Sequence, residues 1–192
     1  MAVTNNNTAN VSYGKFKTGA YFFVAPYGTA LPTDNTTELN AAFLNMGFLG
    51  DDGLVFSNDS STNTGYDANG DSIATSAGEV TKTMALTFRE IKEDTMAVVY
   101  GSGNVTDEDG VLTVHDKGPN SGFYSGVAEI LLGDGRKDRK VIPRFSPNQL
   151  GEETVVYSSL VGKPLTCAVV KDATLGDYYV DYIDSTETTA GE

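Results

Sequence analysis

Few residues of this 192-residue chain are of a kind and spacing that could run a reaction. His115 is the single histidine, so any Ser-His-Asp or Cys-His arrangement has to use it. Asp116 beside it in sequence sets no geometry and no nucleophile-elbow pattern occurs, so a strand-end histidine facing water is the expectation. Cys167 is the only cysteine, which excludes an intrachain disulfide and any multi-cysteine metal site. Its setting, Leu165-Thr166-Cys167-Ala168-Val169-Val170, suits a small buried apolar side chain. Asp67-Ala68-Asn69-Gly70-Asp71 imitates the opening of an EF-hand loop. The imitation fails where Ser72 replaces the required glycine and Gly78 the bidentate glutamate, and tight-turn chemistry explains the run better. The carboxylate pairs Asp51-Asp52 and Glu152-Glu153 are adjacent, so on a strand their side chains point apart. Gly101-Ser102-Gly103 follows a helical pattern instead of opening one, the wrong context for a dinucleotide. These readings point away from an enzyme and from any cofactor or bound metal.

The elements that must position these residues are mostly strands. Ala20 to Ala25 is a short aromatic run broken by Pro26 and Gly28. Leu39, Ala42, Phe43 and Met46 recur at helical spacing, although an extended path into Gly47-Phe48-Leu49-Gly50 would serve as well. Asp52-Gly53 marks a turn. Residues 80–88 alternate, with Val80, Met84, Leu86 and Phe88 on one face and Thr81, Thr83, Ala85 and Thr87 on the other. Glu90, Glu93 and Asp94 open a helix with Met96, Val99 and Tyr100 as its stripe and Gly101 as its end. Strands are expected at 111–114, 123–132, Val141-Ile142 (clipped by Pro143), 154–161, 165–170 and 177–183, with Gly162-Lys163-Pro164 as a turn. The whole reads as a mainly β domain with one flanking α-helix, a β-sandwich or barrel. Its expected limits are 16–184, between a flexible arm at 1–15 and a polar acidic tail at 185–192.

Residues 57–78 differ in kind. Ser, Thr, Asn, Asp and Gly dominate, and Tyr66 and Ile73 are the only large apolar side chains. This stretch is expected to be a long loop that cannot order itself by burying a core, so its ordering partner comes from outside. Charge is lopsided, 26 acidic against 13 basic residues for a net of −13. That balance opposes general affinity for nucleic acid through phosphate contacts. Arg136, Lys137, Arg139 and Lys140 form the one basic cluster, which suits a solvated turn or an acidic patch on a neighbour better than a polyanion. The first residues show neither a secretory signal nor an anchor, and no window is apolar enough for a membrane span. Synthesis and folding in a reducing bacterial cytoplasm are expected.

Three stretches together resemble the major tail tube protein of long-tailed, non-contractile bacteriophages of Gram-positive hosts. The first is Phe43-Leu44-Asn45-Met46-Gly47-Phe48-Leu49-Gly50-Asp51-Asp52-Gly53-Leu54. The second runs from Leu86-Thr87-Phe88-Arg89-Glu90 to Tyr100-Gly101, with Arg89 at a place often apolar in that family. The third is Lys140-Val141-Ile142-Pro143 with Leu165 to Asp172. The resemblance spans about residues 14 to 184. It implies two packed sheets with a flanking helix, six subunits to a ring, and rings stacked into a virion tube that duplex DNA traverses without specific binding. It also implies other tail proteins, such as a tape measure and a tail terminator, as partners. Terminal arms and the 57–78 segment would bridge rings, with Tyr66, Asp67, Asn69, Gly70, Asp71 and Ile73 as contacts. Thr81, Thr83, Thr87 and Glu129 are candidates to face the bore, and Arg136, Lys137, Arg139 and Lys140 to meet a neighbouring subunit. Six copies carry −78 per ring, and a bore sharing that sign would repel phosphate. Two other readings are a head–tail joining or decoration protein, and a soluble β-sandwich ligand-binding module.

Overall fold

The computed structural model describes Thr8 and residues 11–185. Eleven strands and one α-helix follow in the order β1 (Gly14–Phe16), β2 (Phe22–Pro26), β3 (Leu44–Asn45), β4 (Val55–Tyr66), β5 (Ser72–Phe88), α1 (Glu93–Tyr100), β6 (Val105–Glu108), β7 (Val111–Val114), β8 (Tyr124–Leu132), β9 (Lys137–Leu150), β10 (Lys163–Val169) and β11 (Val180–Ile183). Nine of the strands form one antiparallel sheet in the order β3-β2-β8-β9-β10-β5-β4, with β1 also on β8 and β11 also on β9, while β6 and β7 pair separately.

β9 is the strand on which this sheet turns. Its first half lies between β8 and β11, and its second half passes to β10. Two residues, Pro143 and Arg144, oppose the single Ser125 between the pairs Tyr124–Phe145 and Gly126–Ile142. Asn148 is likewise an extra residue between the pairs Thr166–Gln149 and Cys167–Pro147. Such bulges bend a strand and spare a proline the ladder bond it cannot donate, so Pro143 does not clip the strand as expected but sits inside it.

Bending brings the two halves of the sheet face to face. Between them lie Phe22 and Val24 from β2, Ile142 and Phe145 from β9, Met84, Leu86 and Phe88 from β5, and Leu165, Cys167 and Val169 from β10. Met96, Val98 and Val99 of α1 complete this core, so the helix flanks the sandwich as expected. Thr95 starts the helix by accepting from the Lys92 N–H and donating to the Glu90 carbonyl. Gly101 ends it at φ +91°, a conformation glycine adopts without a Cβ penalty. The outer face of the β2-β8-β9 half carries a second cluster, in which Val127 and Val141 pack under Phe43, Leu31 and Leu39.

Several expectations need correction. Residues 57–78 are not a loop; they are the outer part of the β4–β5 hairpin. The helical spacing over 39–46 does not form a helix. Leu39 and Phe43 join the cluster on one side of the sheet and Met46 the core on the other, so the chain wraps a sheet edge there. Residues 154–161 form no strand. Lys163 and Pro164 already belong to β10. Residues 14 and 15 of the expected arm belong to β1, paired with β8; most of the remainder of the arm, and the tail beyond Ser185, lie outside the described residues.

Candidate assembly surfaces

The β4–β5 hairpin is the most exposed element. β10 accompanies β5 only from Phe88 to Lys82. Beyond Lys82 the two hairpin strands continue alone to Tyr66 and Ser72, ten residues on β5 or about 34 Å of strand. Nearly all side chains of this arm are exposed, including Tyr66 and Ile73. A bulge interrupts it where Ser61 opposes Gly78 and Glu79, with the Glu79 N–H donating to Ser61 Oγ at 2.9 Å. The tip is a turn organised by Asp67, whose Oδ1 accepts the Asn69 N–H at 2.8 Å and the Asp71 N–H at 2.9 Å. Those bonds hold the Asp67 carboxyl below the usual carboxylate range. The EF-hand-like run is thus turn chemistry, and Tyr66, Asp67, Asn69, Gly70, Asp71 and Ile73 are gathered at one tip.

The root of the arm is clamped. Lys82 Nζ lies 5.0 Å from the Tyr178 ring centroid and 4.7 Å from that of Tyr179, and Lys140 Nζ lies 4.5 Å from Tyr179 and 5.2 Å from Phe56. Lys140 also pairs with Asp181. The chain after β10 therefore grips the base from which the hairpin leaves the sheet, through cation–π contacts that are worth most where water is excluded.

The second surface is the outer face of the half-sheet β9-β10-β5-β4. Thr81, Thr83, Ala85 and Thr87 of β5 lie in register with Asp59, Ser57 and Val55 of β4 and with Ala168, Thr166 and Pro164 of β10; Ser146 and Gln149 of β9 continue the row. None of these side chains is buried, whereas their neighbours Met84, Leu86, Cys167 and Phe145 are. The row itself contains no Lys or Arg, and Asp59 is its one charged side chain; at its Thr87 end it is bordered by Asp52 and by Arg89, which pairs with Asp51. Thr81, Thr83 and Thr87 thus lie together, as expected.

Glu129 does not join them. It is buried on the other half-sheet, where its Oε1 receives Arg139 Nη2 at 2.6 Å and Nε at 2.8 Å, while Arg139 Nη1 donates to the carbonyls of Asp34 and Thr37. A carboxylate compensated in this way ties down the 31–43 segment and presents no charge to a channel. Arg139 is correspondingly withdrawn from any neighbour. Of the other basic candidates, Arg136 pairs with Asp134 and Lys140 with Asp181, and the Lys137 side chain is the exposed one. Cys167 is fully buried, which pushes its thiol up to about 12, and His115 is exposed at the end of β7.

Among the described residues both edges of the half-sheet are open. β4 pairs only with β5, and β9 loses β8 after Phe145, so 146–150 is bonded on one side alone. Exposed edges of this length invite another strand.

Sequence motifs far apart in the chain meet beside this sheet. Leu49 bridges Phe88, the Gly50 N–H donates to the Thr87 carbonyl and the Arg89 N–H to that of Phe48. The Glu90 carboxylate accepts the Phe48 N–H. It occupies the space a Cβ on Gly47 would need, and Gly47 is at φ +74°, so glycine is required there. Lys92 Nζ bonds the Asn45 carbonyl at 2.7 Å. Sequence reasoning missed β6, although Asp109-Gly110 between two short runs is a hairpin signal.

Among the described residues the chain is a bent antiparallel sandwich with open strand edges and a projecting hairpin arm, the architecture of a mainly β structural protein. A family model described as phage tail tube protein matches residues 6–190, and the chain belongs to that family. It is a structural component of the virion tail, built to assemble with other tail proteins. No match was found among curated proteins.

Proposed function

We propose that copies of this protein close into rings through the two open edges, and that the rings stack into a hollow tube that conducts duplex DNA into a bacterial host. The carrying observation is the half-sheet β9-β10-β5-β4, covered by the core on one face, open on the other and unpaired at both sides. Its four strands alternate in direction, so β4 and β9 run opposite ways. Copies set side by side in one orientation bring β4 of each against 146–150 of the next as an antiparallel pair, and a rotation that closes gives a ring without edges. Six copies lending four strands each make a 24-stranded barrel about 37 Å across at the backbone before tilt, roomy enough for a duplex.

The open face then lines the bore. Hydroxyls and small side chains without Lys or Arg give phosphates nothing to bind, and the net of −13 per copy adds long-range repulsion. DNA slides instead of sticking. The hairpin arm reaches along the tube axis to the next ring, and a tape measure and a tail terminator are the partners expected inside and at the end of such a tube.

Cysteine cross-linking tests the ring. In the double variant Ser57→Cys with Asn148→Cys, mild oxidation is expected to give a ladder of covalent oligomers ending at the ring. The buried Cys167 stays unreactive. Monomers that only oxidise internally, or do not oxidise while assembly proceeds, would contradict edge pairing; neighbouring positions on the same two strands control for register.

A further inference from the structure

The connection between β9 and β10, residues 151–162, carries an apolar surface that neither the core nor the edges use. Val155 is 72% exposed, Tyr157 fully exposed and Leu160 74% exposed. Their residue types favour a strand, yet among the described residues the segment has no strand partner. It is nonetheless held in place. The Gly151 N–H donates to the Pro164 carbonyl, Lys163 pairs with Glu153 at 2.6 Å, and Arg89 bonds the Leu160 carbonyl through Nη1 and the Asp51 carboxylate through Nη2. A segment pinned at its ends with its apolar side chains outward is built to be covered by something else.

We propose that residues 154–161 are the docking site for the tip of the β4–β5 arm of a second copy stacked on the first. Position argues for this occupant. The connection lies at the Phe88 end of β5 and the arm's tip at the Ser72 end, so the two surfaces occupy opposite poles of the same strand. Copies stacked with one polarity bring the tip of one to the connection of the next, a heterologous contact that repeats without limit. Chemistry argues for it too. The arm exposes Tyr66 and Ile73 at its tip and Val80 lower down, and beyond Lys82 both its strands have open backbone edges. A β-prone segment lacking a partner can add to such an edge. Charge does not oppose the contact at its centre, because 154–161 contains no ionisable side chain other than Tyr157. Carboxylates do flank it on both sides: Asp67 and Asp71 on the tip, Glu152 and Glu153 beside the connection. Stacking through it is therefore apolar, and salt favours it by screening those carboxylates.

This rests on the stacked-ring reading, and the test separates the two. In the triple variant Val155→Ser, Tyr157→Ser, Leu160→Ser the replaced side chains are exposed, so thermal stability and circular dichroism are expected to match the parent. Rings should still form, measured by light scattering and negative-stain microscopy, while mean tube length falls at least tenfold. Parent tubes with variant tubes of equal length would overturn this proposal alone, as would loss of rings by a folded variant. A parent that forms neither rings nor tubes would overturn the stacked-ring reading and this proposal with it. A second measurement does not depend on the triple variant: Ile73→Cys with Tyr157→Cys is expected to cross-link copies in tubes but not in isolated rings. Normal tubes without that cross-link would contradict the contact.

Discussion

Glu129 and Arg139 show how burial decides what a charge is for. In sequence they look like members of a channel wall and of a basic contact patch. In the fold they form one buried pair, with Arg139 Nη1 donating to the carbonyls of Asp34 and Thr37. Removing one partner leaves the other charge buried and uncompensated. Glu129→Ala is therefore expected to destabilise the subunit by about 3–5 kcal/mol in urea unfolding, and a loss below about 1 kcal/mol would show the pair to be solvated. Asp138, on the same strand as Arg139, is the opposite case. One of its carboxylate oxygens is buried without a hydrogen-bond partner, and burial, then the nearby Asp181, raises its pKa. A raised acid favours folding in its protonated form, so its cost is absent below the unfolded value near 4. That cost grows as pH rises toward the folded value and is complete above it. Asp138→Asn should raise the melting temperature at neutral pH, with the gain shrinking toward pH 4; melts at several pH values check the slope, and a pH-independent difference would refute the assignment.

The hairpin arm carries the corresponding prediction for elements. Its outer part contributes no residue to the core, so replacing residues 59–80 by a two-residue turn should leave dichroism and unfolding midpoint near those of the parent. Tubes should be absent. Normal tubes from the shortened chain would remove the arm from the assembly. Elements with a one-sided pattern were readable in advance: 80–88 buries Met84, Leu86 and Phe88 and leaves the threonines out, and α1 ends at Gly101 as its residues suggest. The arm was unreadable as strands because both its faces are polar, so no alternation marks it. Pro143 misled because a bulge absorbs it. Residues 154–161 misled in the other direction: their side chains favour a strand, but none of the described residues pairs with them. Of the candidate surfaces, the grouping of the tip residues and of Thr81, Thr83 and Thr87 on one face was legible. The withdrawal of Glu129 and Arg139 was not, because it depends on a segment a hundred residues away in the chain.

At the scale of the molecule, the layers run from the 31–43 segment through one half-sheet, the core with α1, and the second half-sheet to an open face of hydroxyls. The apolar faces of the sheet are covered by the core and by the 31–43 segment while the hydroxyl row is left open, the asymmetry that the proposed channel wall requires. In the proposed tube, non-adhesion to DNA comes first from a row that lacks Lys and Arg and only second from net charge.

The most direct test is a cryo-electron microscopy map of tubes grown from the purified protein. The expected map has a continuous antiparallel inner barrel in which each copy lends β4, β5, β10 and β9, with Thr81, Thr83 and Thr87 toward the bore. A bore lined by lysines and arginines, or an inner wall made by the opposite half-sheet with β4 facing the outside, would contradict it.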